Sequence, residues 1–294
     1  MRRSPTVINT AFYPHLMWNS RFVAVSGNPF DNSAGFSMPA PEELSLSTLP
    51  HLLDAQAFIP VTERTEVAGF EFKGDNDAIR AEVPDLILNL STGVTGPDIS
   101  GPVSCLERVK PEMAALNAGS LNYLKLRSNN EWAWPPMVFD NAVEKIEAFA
   151  EVMKRLNITP ECECFDTGIL RSVMMFARRG LVPNPPHVSL VMGVESGMPN
   201  KASWLPLLLQ EMLPLTHWQV IGIGRQEVWA LHQACAELGG DLRTGLEDTF
   251  YLPDGSKAQS NGPLIEALAA VARRAGREVA SPAEARQLLR LSPR

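Results

Sequence analysis

The chain has 294 residues, 45% hydrophobic and 20% charged, with a formal net charge of −7. That length suits one large α/β domain or two ordinary ones, the balance excludes a disordered or fibrous chain, and an acidic excess without clustered Lys and Arg excludes a general nucleic-acid binder. The opening MRRSPTVINTAFYPH lacks an apolar stretch of secretory length, and no run of about eighteen apolar residues follows, so a cytoplasmic protein with neither nucleic-acid nor membrane partners is expected.

In chain order, TVINTA (6–11) reads as a first strand, and 19–43, rich in Asn, Ser, Gly and Pro, as a long loop serving as a lid or an oligomer contact. PEELSLSTLPHLLDAQ reads as a helix interrupted by Pro50, and AFIPV (57–61) as a second strand. From residue 85 short apolar runs alternate with segments of helical period: DLILNLS (85–91), MAALN (113–117), ECECF (161–165), HVSLVMG (187–193), WQVIGIG (218–224) and DLRTGL (241–246) are the strands. Between them NAVEKIEAFAEVMKRLN places Val143, Ile146, Phe149, Ala150, Met153 and Leu156 at helical spacing. Eight β/α units in one domain, 1–294, predict a (β/α)8 TIM barrel. A doubly wound sheet would carry a glycine-rich first turn, which VINTAFYPH lacks.

A barrel builds its site at the carboxyl ends of its strands, and there the sequence gathers polar groups. In ECECF alternate residues share a face, so Glu161 and Glu163 point one way and Cys162 and Cys164 the other. Cysteines suit the layer under the helices, which turns both acids toward the barrel axis, where Arg243 of the last strand is their partner. A buried Glu–Arg network without catalytic duty is the alternative. Ser91, Thr92, Asn117, Asp166 and Asp248 each end a strand. Asp166 and Thr167 stand ahead of ILRSVMMFARRG and read as caps, whereas Glu247 and Asp248 precede no helix and read as site residues. GIGR, with Gly224 and Arg225 before a helix expected over 225–238, suggests an anion site for a diphosphate-bearing ligand, and Ser260 with Asn261 a helix cap. The four cysteines are too scattered for a disulfide framework and read as core hydrophobes, with a Cys162–Cys164 metal pair as the lesser reading. Of the histidines only His15 is expected at the catalytic mouth; His51, His187, His217 and His232 read as helix positions or strand starts.

RTGLEDTFYLPDGSKAQSN, AGREVASPAEARQLLRL, PECECFDTG, GIGR and LNLSTG, co-ordered motifs at matching intervals, resemble the signatures of the beta-keto acid cleavage enzymes, closely from about residue 85 onward. The resemblance implies a homo-oligomeric barrel that transfers the acyl part of a beta-keto acid to CoA from acetyl-CoA, releasing acetoacetate by a Claisen/retro-Claisen route. It implies Asp248 as the base, with Ser91 and Glu163, or as second choice Glu161, tuning it. Arg243, Asn117, Thr92 and Arg64 would bind the keto acid, and Gly224 with Arg225 the CoA thioester. It further implies a divalent metal, zinc, on Glu247, with His15 as the available imidazole. The family's His-x-His-x-Arg reads Pro60, Thr62, Arg64 here, and Ile169 stands at its FDTGH histidine, while the glutamate after the first strand falls near Met17. Neither Pro60 nor Thr62 is a usual zinc ligand, so a non-catalytic or metal-free barrel binding protein is the alternative function.

Overall fold

A computed structural model describes residues 85–133 and 135–291 in full, and the backbone of three short strands before them: β1 (His15–Leu16), β2 (Phe22–Ala24) and β3 (Phe36–Ser37). The chain divides into two compact units, 1–86 and 87–294. In the first, β1, β2 and β3 form an antiparallel sheet, so the expected loop at 19–43 contains two paired strands, and His15 lies in β1 opposite Val23 rather than in a loop after a strand. The expected strands at 6–11 and 57–61 and the helix around Pro50 lie outside the described residues, as do Met17, His51, Pro60, Thr62 and Arg64.

The second unit holds a six-stranded parallel sheet of β4 (Asn89–Leu90), β5 (Met113–Asn117), β8 (Thr159–Cys164), β9 (His187–Met192), β10 (His217–Gly222) and β11 (Asp241–Arg243). Each of these strands lies beside the next in chain order, with no reversal, as in the winding of a (β/α)8 barrel; an open doubly wound sheet reverses at a switch point. Five helices follow in the same sense: α1 (Ser100–Val109) after β4, α2 (Val143–Arg155) ahead of β8, α3 (Thr167–Arg179) after β8, α4 (Leu205–Glu211) after β9 and α5 (Val228–Glu237) after β10. Two more, α6 (Asn261–Arg274) and α7 (Pro282–Leu288), close the chain.

The sheet curls. Three strand spacings of about 4.8 Å would set β8 and β11 roughly 14 Å apart in a flat sheet. Arg243 of β11 nevertheless reaches Glu161 and Glu163 of β8 at 3.6 and 3.4 Å.

MAALN is buried along its whole length, and four consecutive apolar residues followed by a buried Asn117 form a strand covered on both faces. In β8, Cys162 and Cys164 are fully buried, so the cysteines serve as core residues. Helix α3 is started by Asp166, whose carboxylate accepts from the Ile169 N–H at 2.7 Å, and stopped by Gly180 at φ 78°. Its inner face, Leu170, Val173, Met174 and Ala177, is buried, the larger side chains contributing on the order of 1.5–3 kcal/mol each. In α2, Ile146, Phe149, Ala150 and Met153 are buried as the periodicity predicts, but Val143 is exposed and Leu156 is the C-cap.

Three expectations shift. The strands expected at 85–91 and 241–246 shorten to two and three residues. Polar Ser91 and Thr92 end the first, and Thr244 and Gly245 begin a turn after the second. An antiparallel hairpin of β6 (Leu121–Tyr123) and β7 (Met137–Phe139) intervenes between β5 and α2, where no element was expected. Helix α5 starts at Val228, not 225, because the carboxylate of its N-cap Glu227 folds back to accept from the Arg225 N–H at 3.1 Å and holds 225–227 in a turn.

Gly193, at the carboxyl end of β9, has φ 100°, and a Cβ there would sit 1.9 Å from the Ile223 carbonyl oxygen. Gly193→Ala is therefore expected to destabilise the protein by more than about 2 kcal/mol, since the obstacle is backbone and the conformation is one L-residues rarely adopt. A denaturation midpoint equal to wild type would contradict this.

Candidate active site

Arg243 stands at the centre of the sheet's carboxyl-terminal mouth, and each of its guanidinium nitrogens faces acid. Nη1 lies 3.4 Å from Glu163 and 3.6 Å from Glu161, Nη2 3.3 Å from Glu247, and Nε 3.9 Å from Asp248. Four carboxylates around one cation leave an excess of negative charge, and the protein answers with protons. Burial pushes the Asp248 carboxyl up to about 7; Arg243 pulls it down, and Glu247 and Glu161 add repulsion. Burial likewise raises Glu163 to about 7 against Arg243, with Glu161, Glu247 and Asp248 repelling it. Arg243 loses hydration on burial, but Asp248, Glu163, Glu161 and Glu247 more than restore its charge and raise its proton affinity.

Exposure grades the cluster. Glu161 is 2% exposed and Asp248 5%, whereas Arg243 is 31% and Glu247 51% exposed. A ligand arriving from solvent therefore meets Glu247 and one edge of the guanidinium, with Asp248 just beneath.

The turn after β11 fixes Asp248. Its N–H and that of Thr249 both donate to the Gly245 carbonyl at 3.0 Å, and the Asp248 carbonyl accepts from the Gly224 N–H at 3.1 Å. Leu246 N–H donates to Asn261 Oδ1 at 2.8 Å, fastening the turn to the start of α6. Ser260, expected to cap that helix, makes no side-chain cap bond; Asn261 instead reaches outward to the turn.

The other expected residues take distinct places. Thr92 is buried and donates to the Ala115 carbonyl at 2.5 Å, so its hydroxyl braces β5. Ser91 is exposed at the end of β4, and Asn117 is buried at the end of β5. In GIGR the N–H groups of Gly224 and Arg225 are spent on the Asp248 carbonyl and Glu227, which leaves no open amide pair for a phosphate; the exposed Arg225 guanidinium lies 5.4 Å over the Tyr251 ring. Ile169 is buried and packs on Gly119, where a Cβ would come within 2.7 Å of its Cγ1. The side chain of His15 and the whole of Arg64 lie outside the described residues. His187 and His217 open β9 and β10, and His232 is buried in α5, all as expected.

Sequence reasoning missed four contributors. Asn89, Ser189 and Gln219 all donate to Glu161, and Lys145 of α2 donates to the carbonyls of Val94, Gly96 and Asp140 at 2.8, 2.9 and 2.9 Å, strapping the loop after β4. A lone polar residue inside an otherwise apolar strand, as in HVSLVM and HWQVIG, was the available signal.

Among the described residues no three His, Cys, Asp or Glu side chains come together as a metal could use them. Glu247 is directed at Arg243, and Pro60 and Thr62 bring no imidazole by their chemistry. These donors do not fit a three-ligand zinc site. Among the described residues no helix is long and apolar enough to cross a membrane.

A parallel sheet wound in barrel order, with acids and an arginine converging at the carboxyl ends of its strands, places the protein in the class of α/β barrels with a charged cluster where such barrels carry their sites. The chain belongs to the beta-keto acid cleavage enzyme family, whose model it matches over residues 64–291. A 3-keto-5-aminohexanoate cleavage enzyme of Fusobacterium nucleatum subsp. nucleatum is 32% identical over 222 residues, 73% of this chain and 74% of that protein. A 3-oxoadipate:acetyl-CoA acetyltransferase of Cupriavidus necator is 33% identical over 225 residues, 73% of this chain and 72% of its own length. The structure of ObcA in a ternary complex with a C4-CoA adduct and oxalate is similar with a TM-score of 0.53 at 21% identity. The likeness covers 72% of this chain and 54% of that one, so the chain spans about half the length of ObcA, and the likeness concerns the fold.

Proposed function

We propose that the protein cleaves a beta-keto acid at the expense of acetyl-CoA, giving acetoacetate and a new acyl-CoA. One observation carries this reading: a buried carboxyl, Asp248, whose proton affinity is lifted to about 7 beside a partly exposed guanidinium. A base poised near neutrality suits removal of the proton between two carbonyls.

In this reading the substrate carboxylate takes over the exposed edge of Arg243 that Glu247 now holds, and Asp248 removes a proton from the carbon between keto and carboxylate groups. The resulting carbanion forms a carbon–carbon bond to the thioester carbonyl of acetyl-CoA and expels CoA thiolate. The thiolate then attacks the original keto carbonyl; the bond from that carbonyl to the central carbon breaks, and acetoacetate leaves after recovering the proton from Asp248. Arg243 stabilises the developing negative charge at close range. Ser91 and Asn117 at the neighbouring strand ends are proposed to contact the keto acid, and Arg225 the anionic part of CoA. A divalent metal, zinc by family resemblance, would find Glu247 as its one carboxylate ligand among the described residues; a single ligand falls short of a usual catalytic set, so no step depends on it. A cytoplasmic homo-oligomer is part of the same proposal.

The test is incubation of untagged protein, with and without chelator, with acetyl-CoA and a panel of beta-keto acids. Acetoacetate and the matching acyl-CoA are expected in equal amounts. Their absence with every keto acid, while keto acids still bind, would establish the non-catalytic alternative.

A further inference from the structure

Five of the six strands of the parallel sheet each contribute one polar side chain to a single cluster centred on the buried Glu161 carboxylate of β8; Ser189 is buried with it, Gln219 and Arg243 are half-buried, and Asn89 closes it from the exposed edge of β4. Asn89 of β4 donates to Oε2, and Ser189 of β9 and Gln219 of β10 donate to Oε1, Gln219 at 2.8 Å. Gln219 also donates to the Ser189 hydroxyl at 2.8 Å, and Arg243 of β11 completes the set with Nη1 3.6 Å from Oε1. Every partner is a donor, which is what a carboxylate, an acceptor only, requires.

Glu161 is too deeply buried to meet a substrate, and neither the base chemistry nor substrate capture proposed above uses it. Ser189 is fully buried in a strand whose six residues are all buried. Apolar residues of similar volume at Glu161 and Ser189 would fill the same space without the cost of burying polar groups. What the cluster does accomplish is geometric. It fixes an anion beside Arg243 that, together with the Glu163 carboxylate at 3.4 Å, holds Nη1 on the β8 side while Nη2 and Nε are presented to Glu247 and Asp248.

We propose that Glu161 is a positioning residue, clamped by Asn89, Ser189 and Gln219, whose role is to aim the Arg243 guanidinium at the substrate carboxylate and Asp248. The link to substrate rests on the proposed keto-acid reaction, while the link from Glu161 to Arg243 stands independently. An arginine free to turn would sample other partners among its carboxylates, and a misplacement of about 1 Å costs up to about a hundred-fold in rate.

Two measurements separate these links. In Ser189→Ala and Gln219→Met the KM for the keto acid is expected to rise about ten-fold with the KM for acetyl-CoA within about two-fold, and Ser189→Thr, which keeps the hydroxyl, to recover most of the loss. A purely structural cluster would lower the melting temperature while leaving both KM values unchanged, and that result would overturn the proposal. The second measurement needs no turnover: Glu161→Gln is made in wild type and in Arg243→Met, or in Arg243→Lys where the methionine variant does not accumulate. If Glu161 acts on Arg243, Glu161→Gln is better tolerated without the guanidinium by about 3 °C in melting temperature. Equal shifts in both backgrounds would reject the coupling. A wild type without turnover but with this coupling would reject the reaction and keep the Glu161–Arg243 link.

Discussion

Asp248→Asn is expected to lower kcat by about a hundred- to ten-thousand-fold, the usual range for loss of a general base, while the protein remains folded. Asparagine keeps the shape of the side chain and cannot accept the substrate proton. The backbone bonds that shape the turn, from Asp248 and Thr249 to Gly245 and from Gly224 to the Asp248 carbonyl, are untouched. The substitution also removes one like charge from a site where four carboxylates share one guanidinium, and the contact it loses is a long one, 3.9 Å. Its melting temperature is therefore expected to equal or exceed that of wild type. Steady-state kinetics with thermal unfolding on the same sample decides the matter: wild-type turnover in the variant would remove Asp248 from the base role.

Activity and stability are expected to respond to pH in opposite directions. The base works as a carboxylate, so kcat/KM should rise about ten-fold per pH unit below about 7 and level off above it. Glu163 and Asp248 both have folded-state proton affinities above their ordinary carboxyl values, at about 7. A group raised in this way contributes stability that is complete below its unfolded pKa and is lost as pH rises through the folded one. His187 and His232 act the other way. Burial lowers both to about 4, His217 and Arg290 adding repulsion and Glu161 and a Leu289 backbone bond opposing it at His187, so their contribution is lost as pH falls from about 6.5 toward 4. Above about pH 6.5 the histidines are neutral whether the chain is folded or not, and the carboxyl effect is unopposed. Between pH 6.5 and 8 the melting temperature should fall while kcat/KM rises, and the fall should be smaller in Asp248→Asn. A melting temperature that climbs over this interval would show that neither carboxyl holds its proton.

The parallel strands from residue 85 onward were legible because a strand buried on both faces leaves a mostly apolar run without alternation, as in MAALN and HVSLVM. The inward phase of Glu161 and Glu163 followed from alternation, and Cys162 and Cys164 do lie in the core. The β6–β7 hairpin was hidden because its strands are three residues each, too short for alternation to register. The start of α5 was misplaced because Glu227 completes the turn with its own side chain, a local bond that composition does not reveal. At the site, residue types pointed to Arg243 and its acids, but the clamp on Glu161 required knowing that β4, β9 and β10 curl toward the same axis. Lys145 was invisible for another reason: a helical lysine is normally solvated, and only the carbonyls of the loop after β4 make it a buried anchor.

The bond from Gly224 N–H to the Asp248 carbonyl makes the segment following β10 a buttress. Anyone seeking to redirect this scaffold to new chemistry by loop transplantation should leave that segment intact, since a graft there would shift the base along with the loop. The hairpin between β5 and α2 is the better place to begin: it can be lengthened or exchanged without cutting a bond to Arg243, Glu161 or Asp248.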